Sequence, residues 1–140
     1  FYSDPLRLRQ VLDNLLNNAV KFTQQGSVTL SLEHHAEDLV FTVEDTGSGI
    51  PEREQHHLFQ PFWQMADATT RREGGTGLGL YICRQIAILL GGTIWLARSD
   101  AVGTAFKLRL PRNMEGQTGL HRAFTTSVFK TPPPTARPSR

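Results

Sequence analysis

Hydrophobic periodicity switches between 3.6 and 2 along this 140-residue chain, and that alternation limits what it can fold into. Between residues 5 and 22, Leu8, Leu12, Leu15, Leu16, Ala19 and Phe22 fall on one helical face. Asp4 suits the cap of that helix and Pro5 its first position, and Gln24-Gln25-Gly26 ends it. Period two follows. Val28, Leu30 and Leu32 alternate with Thr29 and Ser31, then Leu39, Phe41 and Val43 alternate into Asp45, with a turn at 35–38. A short helix is expected near 52–58. Residues 63–77 lack a period and read as a mobile lid. A second long helix is expected from about Leu78 to Gly91-Gly92, then strands at 93–97 and 105–110, the latter stopped by Pro111. Helix, two strands, helix, two strands predicts an α+β fold: a two-layer α/β sandwich, its mixed sheet carrying helices on one face. One domain is expected over 1–111. Residues 112–140 hold half of the eight prolines, including Pro132-Pro133-Pro134, and read as a disordered tail or linker.

Charge and composition exclude several classes. The net charge is +2, yet the stretch from Arg112 onward holds five Lys/Arg against one acid. The body is therefore slightly acidic, with no basic stripe of interleaved aromatics, and no nucleic-acid partner is expected. No run of about 18 apolar residues predicts a membrane span, and no secretion leader is visible. The single cysteine, Cys83, excludes an internal disulfide and fits a reducing compartment.

Three segments carry candidate chemistry. The first helix holds Asn14, Asn17 and Asn18, although asparagine is a mediocre helix former. Asn14, Asn18 and Lys21 share a face by their spacing. An amide oxygen brings no charge, which suits a Mg²⁺ ion already surrounded by phosphate oxygens. Asn18 is the candidate ligand, Asn14 a partner for phosphate or water, and Lys21 a positive charge beside the phosphates. The second segment, Asp45-Thr46-Gly47-Ser48-Gly49-Ile50-Pro51, ends a strand in a carboxylate able to accept from an exocyclic amine. Adenine has that amine, whereas guanine presents a carbonyl. The third, Gly74-Gly75-Thr76-Gly77-Leu78-Gly79-Leu80, opens a helix whose N–H groups can bind an anion. It lacks the lysine of a P-loop and does not directly follow a strand, which disfavours P-loop and dinucleotide folds. Each segment also has a plain counterpart: a solvated helix face, an ordinary strand-to-helix turn, a glycine-rich connection. Phe59 and Phe62 are expected to pack, anchoring the lid. Arg71 and Arg72 can reach a γ-phosphate or remain solvated. The histidine pairs 34–35 and 56–57 have no metal-ligand spacing.

Taken in order, these motifs resemble the ATP-binding catalytic domain of two-component sensor histidine kinases over residues 4–111. Asn14 to Lys21 resembles the N box, Asp45 to Gly49 the first glycine box, Phe59 to Phe62 the F box and Gly75 to Gly79 the second glycine box. Gly103-Thr104 is similar to the last glycine-threonine element, and residues 64–72 to the lid of hybrid kinases. The resemblance implies the Bergerat sandwich shared with gyrase, Hsp90 and MutL ATPases. It implies ATP and Mg²⁺ as cofactors, with Asn14, Asn18 and Lys21 catalytic and Asn18 on the metal. Nucleotide contacts would come from Asn14, Asn18, Lys21, Asp45, Gly47, Gly49, Ile50, Phe59, Arg71, Gly75, Thr76, Gly77, Leu78, Gly79, Leu80 and Thr104. The implied reaction moves the γ-phosphoryl group to a histidine on a separate dimerisation domain, with a response-regulator receiver reached only indirectly. An adenine-nucleotide-binding module without transfer is the alternative. The isolated domain is expected to be a monomer, cytoplasmic, in a parent attached to the inner membrane. The ATPase cousins place a Glu where this chain has Asn14. Three departures stand out: no phosphoacceptor histidine motif, a hairpin at 99–106 one residue short, and Glu73 ahead of the glycines.

Overall fold

The computed structural model describes residues 4–64 and 77–112 with the backbone of 124–131. Helix α1 (Pro5–Phe22) starts where its cap dictates. The Asp4 carboxylate accepts from the N–H groups of Leu6 and Arg7 at 3.1 and 3.3 Å. A cap of this kind is worth about 1 kcal/mol. Thr23 turns extended and ends the helix, just ahead of Gln24. Strands β1 (Gly26–His34) and β2 (Asp38–Asp45) form a hairpin closed by the His35 N–H on the Asp38 carbonyl at 2.8 Å. The helix expected near 52–58 is the single turn α2 (Glu52–Gln55), followed by turns through Phe62. Helix α3 (Gly79–Leu89) leads through Gly91-Gly92 into β3 (Thr93–Asp100) and β4 (Gly103–Pro111).

Both long helices lie against one face of the sheet: α1 over β1 and β2, α3 over β3 and β4, and each against the other. The expected two-layer α+β sandwich is found. Between the layers sit Val11, Leu15 and Ala19 of α1, Cys83, Ile86 and Ala87 of α3, and Val28, Leu39, Phe41, Val43, Ile94, Phe106, Leu108 and Leu110 from the strands. These strand residues keep the period-two alternation, so one sheet face is apolar.

Two expectations are corrected. The sheet is antiparallel at every pairing instead of mixed, in the order β3-β4-β2-β1-β5. The helix-bearing connection does return the chain parallel to β2, but it delivers β3 one place away. The β3–β4 hairpin then inserts β4 between them, antiparallel to both. The second correction concerns the tail. Residues Phe124–Thr131 form a strand, β5, paired with β1 from Gly26 to Leu32. A backbone edge can recruit a partner strand whatever the proline content nearby.

Among the described residues, no helix is long and apolar enough to cross a membrane.

Candidate functional site

The first glycine loop, Gly103-Thr104 and the end of α1 meet at the C-terminal end of β2. Asp45 is the last residue of that strand and is 7% exposed. Its Oδ1 accepts the Gly47 N–H at 2.9 Å, and the carboxylate also accepts from the backbone of Thr104, its cross-strand partner on β4. Burial raises its carboxyl above the ordinary Asp value of 3.8; those two N–H groups and the Arg98 charge pull the other way without cancelling it. An ionised Asp45 is thus held at a cost.

The first glycine loop leaves Asp45 and is wedged between α1 and the β3–β4 hairpin. A Cβ on Gly47 would lie 2.7 Å from the Phe22 carbonyl oxygen, 3.1 Å from Asp45 Oδ1 and 3.3 Å from Thr23 Oγ1. Gly49 has a φ of 78° and its absent Cβ makes room for the Asp100 carbonyl. Past it, the Ile50 N–H donates to Ser99 Oγ at 2.7 Å, and Ser99 Oγ lies 3.1 Å from Thr104 Oγ1. The short hairpin at 99–106 therefore still delivers Gly103-Thr104 to Asp45: Thr104 is buried at 4% exposure, and Gly103 packs on the Asp45 carbonyl. Asp100 closes the turn by accepting the Val102 N–H at 2.9 Å. That bond, with the Arg98 guanidinium at 3.0 Å, holds its carboxyl below the usual range.

On α1, Asn14, Asn18 and Lys21 are half-buried while Asp13 and Asn17 are exposed or nearly so on the other side. Asn14 hydrogen-bonds Cys83 of α3, whose Sγ also donates to the Val11 carbonyl at 3.7 Å. Burial pushes the Cys83 thiol up to about 11, so it stays a neutral packing group. Among the described residues, the Asn18 side chain has no hydrogen bond and Lys21 has no ion pair. The Lys21 ammonium sits 5.6 Å over its neighbour Phe22. An amide oxygen in this position is a fitting donor for a hard cation such as Mg²⁺.

The F box joins this site to the second glycine loop. Phe59 packs edge-on against Phe106 of β4, with centroids 6.2 Å apart, and Arg84 of α3 lies over its ring at 5.9 Å. Phe62 departs from the expectation that both rings pack: it is 75% exposed. Its φ of 65° is left-handed, and its N–H donates to the Gly77 carbonyl at 2.9 Å. Gly77, with a φ of 72°, leaves no space for a Cβ against the Phe62 backbone. The chain turns sharply there and swings the ring outward. Leu78, Gly79 and Leu80 follow at the start of α3. Arg71, Gly75, Thr76 and most of the expected lid lie outside the described residues.

Residues 3–114 match the family described as histidine kinase-, DNA gyrase B-, and HSP90-like ATPases. The chain belongs to that family. Among characterised relatives, it is 47% identical over 112 residues to the circadian input-output histidine kinase CikA of Synechococcus elongatus, covering 79% of this chain and 15% of CikA. It is 43% identical over 108 residues to the sensor histidine kinase RcsC of Salmonella typhimurium, covering 77% of this chain and 11% of RcsC. The chain thus spans a small fraction of the relatives it matches. Among solved structures, the mycobacterial sensor histidine kinase MprB superposes with a TM-score of 0.67 at 30% identity, covering 78% of this chain and 74% of that one. Full-length ShkA in complex with AMPPNP gives 0.65 at 33% identity, covering 75% and 21%. The histidine kinase-type ATPase fold is therefore that of this chain.

Within the ATPase domain, Asp45, Gly47, Gly49, Ile50 and Thr104 stand together as one wall, tied to the end of α1. Gly77 and Phe59 are tied through the F box to β4 and α3. Three polar residues of the wall escaped the sequence reading: Thr23, Ser99 and Gln55. Thr23 is 3% exposed, and its Oγ1 has no hydrogen bond among the described residues. Gln55 Nε2 donates to the Ile50 carbonyl at 3.0 Å. No spacing signals these residues, because they come from a helix end, a strand and a single-turn helix.

Proposed function

We propose that this domain binds Mg-ATP and passes the γ-phosphoryl group to a histidine on a separate helical dimerisation domain, as the catalytic half of a protein-histidine kinase in two-component signalling. The observation that carries this reading is the composition of the inward stripe of α1. It presents Asn14, Asn18 and Lys21 and no carboxylate. Asp13, the one acid in the middle of that helix, is turned outward and lies 3.6 Å from Arg9. Water attack on the γ-phosphorus thus finds no base on this face of α1 among the described residues, and the group is spared for a better nucleophile. In the transfer, an imidazole nitrogen forms the new bond to phosphorus, the bond to the β,γ-bridging oxygen breaks, ADP leaves and the imidazole loses its proton. The chain contributes mostly position and charge. Asp45 accepts from the adenine amine, Thr104 completes the base edge, Lys21 lies beside the phosphates, and the N–H groups from Gly77 to Leu80 face them. Asn18 would hold the magnesium ion, which when bound offsets phosphate charge. The domain works on the cytoplasmic side of a larger sensor kinase, and its receiver-domain partner is reached through the phosphohistidine.

The test is transfer from γ-labelled ATP to a purified histidine-bearing helical domain of a relative. Acid-labile label on the acceptor, with slow hydrolysis in its absence, is the expected result. ATP binding without transfer would favour the nucleotide-binding module, and rapid hydrolysis by the chain alone would move it to the gyrase-like ATPases.

A further inference from the structure

The geometry points to Ser99 as a positioning residue that sets adenine selectivity, an inference that rests on the nucleotide reading above. Ser99 lies on β3 and belongs to none of the sequence motifs in the chain order. In space it joins two of them. Its Oγ accepts the Ile50 N–H at 2.7 Å and lies 3.1 Å from Thr104 Oγ1. The Ile50 carbonyl is held on its other side by Gln55 Nε2 at 3.0 Å, so that residue is fixed from both directions.

Proton accounting gives the pair a polarity. A serine hydroxyl has one proton and two lone pairs. One lone pair of Ser99 takes the Ile50 N–H. Thr104 Oγ1, at 3.1 Å, is the partner available to the Ser99 proton. With the Ser99 proton assigned to Thr104, the Thr104 proton is left to point elsewhere. Thr104 pairs in register with Asp45. The wall then offers an acceptor, the Asp45 carboxylate, beside a donor, the Thr104 hydroxyl. An adenine edge presents an amine donor beside the N1 acceptor and matches both. A guanine edge presents a carbonyl beside an N1–H donor and mismatches both. Removing the Ser99 hydroxyl frees Thr104 to rotate and accept, and leaves the Ile50 N–H unpaired.

Calorimetry on the full 140-residue chain with ATP and GTP, each with magnesium, tests this. Wild type should prefer ATP. Ser99→Ala should lose about tenfold in ATP affinity, with little change for GTP, so the ATP-to-GTP ratio narrows by about the same factor. Ser99→Thr keeps a hydroxyl and should restore the ratio. Circular dichroism checks the fold; if the alanine variant fails to fold, Ser99→Cys, a poor acceptor of similar size, should narrow the ratio in its place. An unchanged ratio in the alanine or cysteine variant overturns the inference, even when overall affinity falls, because a purely structural role weakens both nucleotides alike. Failure of Ser99→Thr to restore the ratio overturns it too. Wild type that binds neither nucleotide, or both equally, defeats the nucleotide reading itself and is recognisable before any variant is made.

Discussion

Replacing Asp45 by Asn should improve the empty domain and spoil the loaded one. Burial raises the Asp45 carboxyl above 3.8 in the folded chain. The sign follows from linkage: a carboxyl whose folded pKa is raised favours folding most when protonated, and that contribution fades as pH rises through the raised value. At neutral pH the wild-type fold therefore carries a desolvated charge, which Asp45→Asn removes while keeping nearly the same shape. The oxygen of the new amide can still accept the Gly47 N–H, which lies 2.9 Å from the wild-type carboxylate, and it takes the Thr104 N–H on its other lone pair. That bond directs the amide NH₂ toward the position where the second carboxylate oxygen would meet an adenine amine, so two donors face each other. A lost hydrogen bond to a charged acceptor is worth about 1.5–3 kcal/mol, or roughly 10- to 150-fold in affinity. The variant should bind ATP weaker by about that factor and shift in favour of GTP, whose carbonyl accepts from the amide NH₂. Thermal melts of both proteins from about pH 3.5 to 7.5 should give closely similar midpoints at the acid end, with the variant increasingly the more stable as pH rises. A variant less stable than wild type at neutral pH would refute the claim that burial dominates at Asp45. Unchanged preference for ATP would refute its place on the base.

Two further substitutions separate fold from site. Asn18→Ala removes a half-buried amide with no hydrogen bond among the described residues, so the melting midpoint should hold while calorimetry shows magnesium no longer strengthening ATP binding; a retained magnesium effect would move the metal elsewhere. Gly47→Ala forces a methyl to within 2.7 Å of the Phe22 carbonyl oxygen, and should destabilise the domain by about 1–3 kcal/mol in a urea titration; an unchanged midpoint would mean that the loop yields freely.

How much of this was legible in the sequence differs by element. The helix start was, because Asp4 and Pro5 act locally and the cap forms as written. So were the strands, since Val28, Leu39, Phe41 and Val43 reach the core on the face their alternation assigns. Strand direction was not: a helix-bearing connection implies a parallel return, and nothing in the chain announces that β4 will slip between β2 and β3. Nor was β5, because an edge strand is recruited by the neighbour's unpaired backbone and its own composition is a weak guide. At the site, Asp45 and the glycines were visible as a cluster in one loop. Ser99, Thr23 and Gln55 were not, since each is an ordinary polar residue until folding brings it to the glycine loop. Phe62 failed for a backbone reason: its left-handed φ turns the ring outward, and hydrophobicity alone predicts the opposite.

Asp45 and Gly47 stand two residues apart, share a hydrogen bond and belong to one motif, yet their substitutions are expected to move stability in opposite directions. Gly47 serves the fold: the loop passes so close to the end of α1 that any side chain intrudes on the Phe22 backbone. Asp45 is different: its carboxylate is buried beyond what its two backbone donors and Arg98 offset, and in the proposed function an adenine amine is the partner that offsets the rest. Thr23 belongs with Asp45 by the same argument, a buried hydroxyl left without a partner among the described residues beside the same loop. If the Asp45 charge stabilised the turn as the bare Gly47 backbone does, both substitutions would destabilise. A rise for Asp45→Asn alongside a fall for Gly47→Ala would show that the Asp45 charge is kept at a cost to the fold, as happens where a residue is retained for function.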